Sequence, residues 1–180
     1  MILCFDPSGN FSEKEGSGVT GWALFQDNDL VEFGDIKACD FDNIEEYWSA
    51  HTNLMWDKVR SVTFTHNIVC ESYRLQPGKA KQQSWSSLET PQLIGAMRMY
   101  NHLEEMLQHN FVLQDPAIKA RFSDEVLVEL GIAEKIGKYY YILGRMTNLH
   151  ERDAIRHGLY YLRYGVKKNV ERKDNSDSIK

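Results

Sequence analysis

Short apolar segments rich in strand formers alternate with amphipathic stretches along this chain, and their order restricts the possible fold. Strands are predicted at residues 1–5, 20–25, 30–38, 67–73 and 111–113. Helices are predicted at residues 43–62, 90–107, 123–130 and 148–164. Turn formers at 26–29 join the second and third strands as a hairpin, whereas the helix before the fourth strand allows a parallel crossover. The order therefore predicts a mixed α/β domain: a five-stranded central sheet, three antiparallel strands followed by parallel ones, flanked by helices.

The length of 180 residues and a composition with 42% hydrophobic and 26% charged residues suit one compact domain. We expect this domain to span residues 1–166, followed by a polar, disordered tail at residues 167–180. The first apolar run stops at Asp6, too soon for a signal peptide, and no later run is long enough to cross a bilayer. We therefore expect a cytoplasmic protein with no membrane partner. The small size hints at a viral origin, in which case the protein would be located in the host cytoplasm.

Cysteine usage is consistent with that compartment. Cys4, Cys39 and Cys70 lie in or beside apolar strand-like segments, with neither CxxC spacing nor the even count of a disulfide framework. We expect all three to be reduced, buried packing residues.

The glycines at residues 16–21 match the GxGxxG pattern of dinucleotide-binding proteins, and Asp40 stands near the position of a ribose-binding acid. In such proteins the glycines open a helix whose N terminus meets the pyrophosphate. Here Gly21 is followed by a hairpin strand instead. We therefore interpret the glycines as a connection and expect no nucleotide cofactor.

Potential metal ligands stand at the ends of predicted elements. Asp6 closes the first strand, Glu71 lies late in the fourth, and His150 and Asp153 lie at the start of the last helix. Strand ends in α/β sheets commonly form sites, and residues three apart share one face of a helix. These four residues are therefore the candidate catalytic and metal-binding set.

Each of these residues alone has a structural explanation. Asp6 can cap a turn, Glu71 can pair with a basic neighbour, and Asp153 can be an ordinary first-turn acid. Together they favour a metal site, because Glu71 interrupts an apolar strand in which an unpartnered charge is costly. His157 also follows on the Asp153 face and resembles part of a zinc pattern. We interpret it instead as a packing residue or a partner of a ligand.

A carboxylate cluster suits Mg²⁺, which prefers oxygen ligands and keeps coordination positions open for phosphate oxygens and an attacking water. This is the chemistry of phosphodiester cleavage. In a two-metal arrangement, ions about 4 Å apart would activate water on one side and stabilise the leaving 3′ oxygen on the other. Asp6 is the candidate for the bridging ligand.

Four segments resemble successive motifs of the RuvC-like Holliday-junction resolvases, in the same order and at similar separations. They are Ile-Leu-Cys-Phe-Asp-Pro-Ser at 2–8, Thr-Gly-Trp-Ala at 20–23, Ile-Val-Cys-Glu at 68–71 and His-Glu-Arg-Asp-Ala at 150–154. The resemblance covers nearly the whole chain, although the motifs are short and segments 76–87 and 114–140 match nothing that can be assigned.

The resemblance implies a ribonuclease H-like fold, a homodimer that acts on four-way DNA junctions, and cleavage with Mg²⁺ or Mn²⁺ held by an acidic cluster. With the two-metal arrangement, we expect two ions in each active site. It places Asp6, Glu71 and Asp153 at the three carboxylate positions. It places His150 at a fourth position, which is Asp in some members and His in others. A histidine there can bind metal or act as a general acid or base.

The formal net charge of −5 gives no whole-molecule attraction to phosphate, so DNA has to bind a local basic surface. The segment after the fourth strand combines basic side chains with an aromatic one, which suits phosphate neutralisation and base stacking. The candidate DNA-binding residues there are Arg74, Lys79, Lys81 and Trp85. An ordinary solvated loop explains the same composition.

The acidic cluster does not by itself encode a substrate. Another ribonuclease H-like nuclease, acting on RNA–DNA hybrids or of the terminase type, stays open as an alternative. A non-catalytic DNA-binding domain or a sugar-kinase-like domain on the same scaffold is a second alternative, although a kinase of that architecture needs a nucleotide site and usually a second domain.

Overall fold

A computed structural model describes residues 1–11, 17–60, 66–74, 88–104 and 109–165 of the chain. Its strands are β1 (Ile2–Asp6), β2 (Val19–Gln26), β3 (Asp29–Lys37), β4 (Asn67–Glu71), β5 (Asn110–Gln114), β6 (Glu134–Ile136), β7 (Tyr139–Ile142) and β8 (Arg145–Met146). Its α-helices are α1 (Ile44–Val59), α2 (Glu89–Leu103), α3 (Asp124–Glu129) and α4 (Leu149–Tyr160). The predicted tail at 167–180 lies outside the described ranges.

The central sheet has five strands in the order β3-β2-β1-β4-β5. Strand β2 pairs antiparallel with both β1 and β3, and β4 pairs parallel with both β1 and β5. This arrangement confirms the predicted mixed sheet. Because β1 and β4 run parallel, their carboxyl ends, Asp6 and Glu71, lie at the same edge.

Different helices cover the two faces of the sheet. Leu3 and Phe5 of β1 belong to a core cluster with residues of α1 and α2, whereas Ile2 and Cys4 belong to a second cluster with residues of α4. Side chains alternate across a strand, so Asp6 lies on the α4 side of the sheet. The same alternation places Glu71 on that side, because Val69 belongs to the second cluster.

Helix α4 begins with a capping box. The Asn148 side chain accepts from the Glu151 N–H, and the Glu151 carboxylate accepts from the Asn148 N–H at 2.8 Å. The helix then crosses β2 at close range, since a Cβ on Gly21 would lie 1.9 Å from the His150 carbonyl oxygen. The predicted helix ended at residue 164, whereas α4 ends at Tyr160 and continues as a π-helical turn (Tyr161–Gly165).

Strands β6 to β8 form a second, antiparallel sheet that the sequence analysis did not predict. The tyrosines at 139–141 lie in β7 of this sheet. Tyr139 is exposed, and Tyr140 contacts α4 through the Arg152 guanidinium, 4.8 Å from its ring centroid. The sheet follows α3 and leads directly into the start of α4.

The cysteine prediction is partly wrong. All three cysteines are free thiols, and Cys4 and Cys70 are buried as expected. Cys39 is only half-buried, because it lies in a 3₁₀ turn (Ala38–Asp40) after β3 and not in a strand. None of the helices in the described ranges has the length and apolar character of a membrane span.

A buried polar network joins the turn after β1 to α1. The Tyr47 hydroxyl donates to the Ser8 carbonyl at 2.5 Å, and Thr20 Oγ1 accepts from the Ser8 N–H at 2.9 Å. The His51 ring lies between these groups, with Nε2 2.8 Å from Thr20 Oγ1 and Nδ1 2.8 Å from the Tyr47 carbonyl oxygen. The network fixes the backbone immediately after Asp6.

His51 is expected to make stability depend on pH, because burial lowers its pKa from 6.5 to about 4. The unfolded chain therefore takes up this proton at a higher pH than the folded protein does. The stabilisation is complete above about pH 6.5 and is lost as the pH falls towards about 4. From this residue we expect a loss of about 2 kcal/mol in unfolding free energy between about pH 7 and pH 5.

Chemical denaturation at the two pH values measures that loss. His51→Gln should lose less stability than the wild type, while His102→Gln, a change at an exposed histidine, should keep the wild-type difference. An unchanged pH dependence in His51→Gln would contradict the assignment.

Candidate metal centre

Three carboxylates from separate elements converge at the carboxyl edge of the sheet. Asp6 ends β1, Glu71 ends β4, and Asp153 lies in the first turns of α4, which packs against that face. Asp6 and Asp153 are only 6% and 7% exposed. Buried carboxylates require compensation by positive charge or hydrogen bonds, so the groups around them define the site.

The Lys119 ammonium lies at the centre of this cluster. Its Nζ is 3.0 Å from Asp6 Oδ1, 2.6 Å from Glu71 Oε2 and 2.8 Å from Asp153 Oδ2. Burial lowers the pKa of Lys119, but the charge of Asp6 and the hydrogen bonds to Asp153 and Glu71 outweigh it, so the pKa is raised above its usual value. The lysine is therefore charged at neutral pH and compensates the three carboxylates.

Lys119 reaches the cluster from a 3₁₀ helix (Pro116–Arg121) that follows β5. The Asp115 side chain caps this helix by accepting from the Ala117 N–H at 2.9 Å. Lys119 is not among the site residues predicted from the sequence. Its position just after a strand that ends at the same edge as β1 and β4 is the signal that points to it.

Two histidines of α4 contact the carboxylates. His150 Nδ1 is 2.8 Å from Asp6 Oδ2, and this hydrogen bond raises the pKa of His150 against the opposing effect of burial. His157 is fully buried, with Nε2 2.7 Å from Glu71 Oε2 and Nδ1 2.8 Å from Gln114 Oε1. Burial alone would raise the pKa of Glu71, but the hydrogen bonds from His157 and Lys119 lower it.

A second layer of charge orients Asp153. The Arg156 guanidinium donates to both Asp153 and Asp124. Arg152 also donates to Asp124, with Nε 2.7 Å from its Oδ1. Asp124 thus holds two arginines of α4, and one of them fixes the Asp153 carboxylate that faces Lys119.

The donor set fits a hard divalent cation. Ligand atoms of Asp6, Glu71 and His157 lie within 4.8 Å of one another, and Asp153 shares Lys119 with both carboxylates. Carboxylate oxygens are the preferred ligands of Mg²⁺ and Mn²⁺. The Lys119 ammonium also demonstrates that a positive charge is accommodated among these oxygens.

The structure brings together Asp6, Glu71, Asp153 and His150, the four candidates from the sequence, and adds Lys119. Arg74 is the one candidate DNA-binding residue within the described ranges. It lies three residues after β4, is largely exposed and forms an ion pair with Asp115. The other three, Lys79, Lys81 and Trp85, lie outside those ranges.

Two solved structures that resemble this chain are both of RuvC from Thermus thermophilus. RuvC in complex with a Holliday junction substrate has a TM-score of 0.59 and 13% identity, over 91% of this chain and 95% of that chain. The second RuvC structure has a TM-score of 0.58 and 12% identity, over 91% and 96% of the two chains. No protein-family model matches the sequence, and no curated protein does. The chain therefore has the fold of these RuvC structures, which is the expected ribonuclease H-like fold.

Proposed function

We propose that this chain is a metal-dependent endodeoxyribonuclease that hydrolyses phosphodiester bonds in branched DNA, and specifically a Holliday-junction resolvase. The observation that carries the proposal is that Asp6, Glu71 and Asp153 converge at the sheet edge. All three contact the positively charged Lys119 ammonium there. Likeness to a RuvC structure in complex with a Holliday junction substrate supports the choice of substrate.

In this proposal Asp6, Glu71 and Asp153 would hold two Mg²⁺ or Mn²⁺ ions. When bound, such ions lower the pKa of water and stabilise negative charge on phosphate oxygens. Arg156 keeps Asp153 oriented towards the site, and His157 does the same for Glu71. These contacts preorganise the carboxylates before any ion or DNA binds.

His150 has two roles open to it in the same proposal. Its Nδ1 already contacts Asp6, and 41% of its side chain is exposed. From this position it can hold a metal ion or move a proton to or from a group at the open side of the site. With either role, His150 belongs to the proposed catalytic residues.

DNA binding is assigned to a local basic surface, because the net charge is negative. Arg74 lies beyond the end of β4 and its side chain is 66% exposed, so it can reach a phosphate near the carboxylates. We assign Lys79, Lys81 and Trp85 to the same surface from the sequence. Residues 1–166 are proposed to form one nuclease domain that acts as a homodimer, since cutting two strands of a four-way junction symmetrically requires two active sites.

A substrate panel tests the proposal. With Mg²⁺ or Mn²⁺, the purified chain should cut a four-way junction faster than a flap, a linear duplex or an RNA–DNA hybrid, by at least tenfold. Faster cleavage of the hybrid would identify a different ribonuclease H-like nuclease. Junction binding without cleavage of any substrate would identify a non-catalytic DNA-binding domain.

A further inference from the structure

Lys119 occupies the place that a metal ion is proposed to take. An ammonium group has three N–H donors, and each carboxylate of the cluster lies within 3.0 Å of this one. The three donors are thus matched by three acceptors from three different elements. The ammonium therefore compensates the three carboxylates through contacts that a divalent ion would otherwise make.

The ammonium and a divalent ion compete for the same oxygens. A positive charge among the carboxylates reduces their attraction for a second cation, and the two cations repel each other strongly at such separations. The charge of Arg156 on Asp153 lowers the attraction further. A metal ion therefore binds these oxygens fully only when the ammonium leaves them.

The Lys119 ammonium is able to move away from the carboxylates. The Lys119 side chain is 23% exposed, so part of the side chain already meets solvent. A lysine has a flexible four-carbon stem, and its ammonium can turn to water while the stem stays packed. The charge can leave the carboxylates without any movement of β1, β4 or α4.

We propose that Lys119 is an internal counter-cation, which holds the three carboxylates together in the metal-free protein and which a divalent ion displaces on binding. The inference rests on the metal site of the proposed function and adds a regulation of it. The site stays compensated when metal is scarce, and metal affinity is set by the competition between the ion and the ammonium.

The proposal predicts opposite changes in stability and affinity when the charge is removed. In Lys119→Met the carboxylates repel one another in the metal-free state, so the unfolding temperature in EDTA should fall. The same repulsion is relieved by a divalent ion, so the affinity for Mn²⁺ should rise at least tenfold. A lysine with a purely structural role would lower the unfolding temperature without raising the affinity.

Titration of Mn²⁺ into the DNA-free protein, with free Mn²⁺ counted by electron paramagnetic resonance, measures the affinity. Lys138→Met, a change at an exposed lysine, should bind Mn²⁺ as the wild type does, and Asp6→Asn should bind it more weakly. Lys119→Gln keeps an N–H donor without the charge and should also bind more tightly, which covers the case in which Lys119→Met does not fold.

Equal or weaker Mn²⁺ binding by both folded Lys119 variants would overturn the proposal. This outcome is separate from failure of the proposed function, which is measured as junction cleavage. If the wild-type chain cleaves no DNA but the Lys119 variants bind Mn²⁺ more tightly, the nuclease proposal is rejected. The counter-cation proposal stands in that case.

Discussion

Asp6→Asn should reduce the rate of four-way junction cleavage at least about 1000-fold while changing junction affinity little. Asp6 is 6% exposed, and its carboxylate lies against Lys119 and His150. Asparagine keeps its shape but removes the negative charge and replaces one ligand oxygen with an amide nitrogen. Loss of one metal-binding carboxylate would remove several kcal/mol of transition-state stabilisation, and each 1.4 kcal/mol corresponds to tenfold in rate.

Asp153→Asn should have an effect of similar size, because it removes a second carboxylate of the same cluster. Asp40→Asn is the matched control, since Asp40 is an exposed acid after β3. Cleavage is measured on a labelled junction and binding by gel shift, with thermal unfolding to confirm that each variant is folded. Near wild-type cleavage by folded Asp6→Asn would exclude Asp6 from the active site.

Gly21→Ala should destabilise the protein by about 3 kcal/mol and reduce the rate of cleavage about 100-fold. The new Cβ would lie 1.9 Å from the His150 carbonyl oxygen and 2.6 Å from the Glu151 nitrogen. Both atoms belong to the backbone, so no side chain can rotate away, and overpacking of this kind costs about 1–3 kcal/mol. The capping box at Asn148 also restrains the first turn of α4.

The loss of activity follows from the position of Gly21. In the sheet it pairs with Asp6, and its neighbour across the packing interface is the turn of α4 that carries His150. A shift of that turn away from β2 moves His150 and Asp153 relative to Asp6. A displacement of about 1 Å in a catalytic constellation can cost about 100-fold in rate.

Gly95→Ala is the matched control for this substitution. Gly95 lies in α2, and a Cβ built there meets no atom within 4 Å among the described residues beyond its chain neighbours and its own helix backbone. Alanine is favoured over glycine inside a helix by about 1 kcal/mol, so this variant should be as stable as the wild type or slightly more so. Urea denaturation compares the two variants. Wild-type stability in Gly21→Ala would refute the close packing of α4 on β2.

The central sheet was predictable because its strands carry strong local signals. The apolar run before Asp6 and the run before Glu71 each form a strand that is buried on both faces. Parallel pairing then brings the two acids to one edge, as the crossover through a helix indicated. The start of α4 is also marked by a local signal, because the capping box at Asn148 depends on two residues only three positions apart.

The small sheet was not predictable by those signals. Its strands β6 to β8 have three, four and two residues, too few for a period of two to be distinguished from chance. Most of their side chains are exposed, so apolar alternation is weak. Turns with positive φ at Gly137 and at Leu143–Gly144 separate the strands, and only the glycines mark them in the sequence.

The acidic residues of the candidate site were predictable from the sequence, whereas Lys119 was not. Asp6, Glu71 and Asp153 each stand at the end of an element that the sequence indicates. Lys119 lies in a short 3₁₀ helix, and its partners Asp6 and Asp153 are 113 and 34 residues away along the chain. A surface lysine and a lysine buried among acids look alike locally, so only the folded chain separates them.

The most direct test of the central claim is incision of a four-way DNA junction by the purified wild-type chain, with Mn²⁺ or Mg²⁺ and with EDTA. We expect paired cuts in two opposing strands, complete dependence on the divalent ion, and loss of the cuts in Asp6→Asn under the same conditions. Absence of incision at any metal concentration, or incision that persists in EDTA, would contradict a metal-dependent nuclease built on Asp6, Glu71 and Asp153.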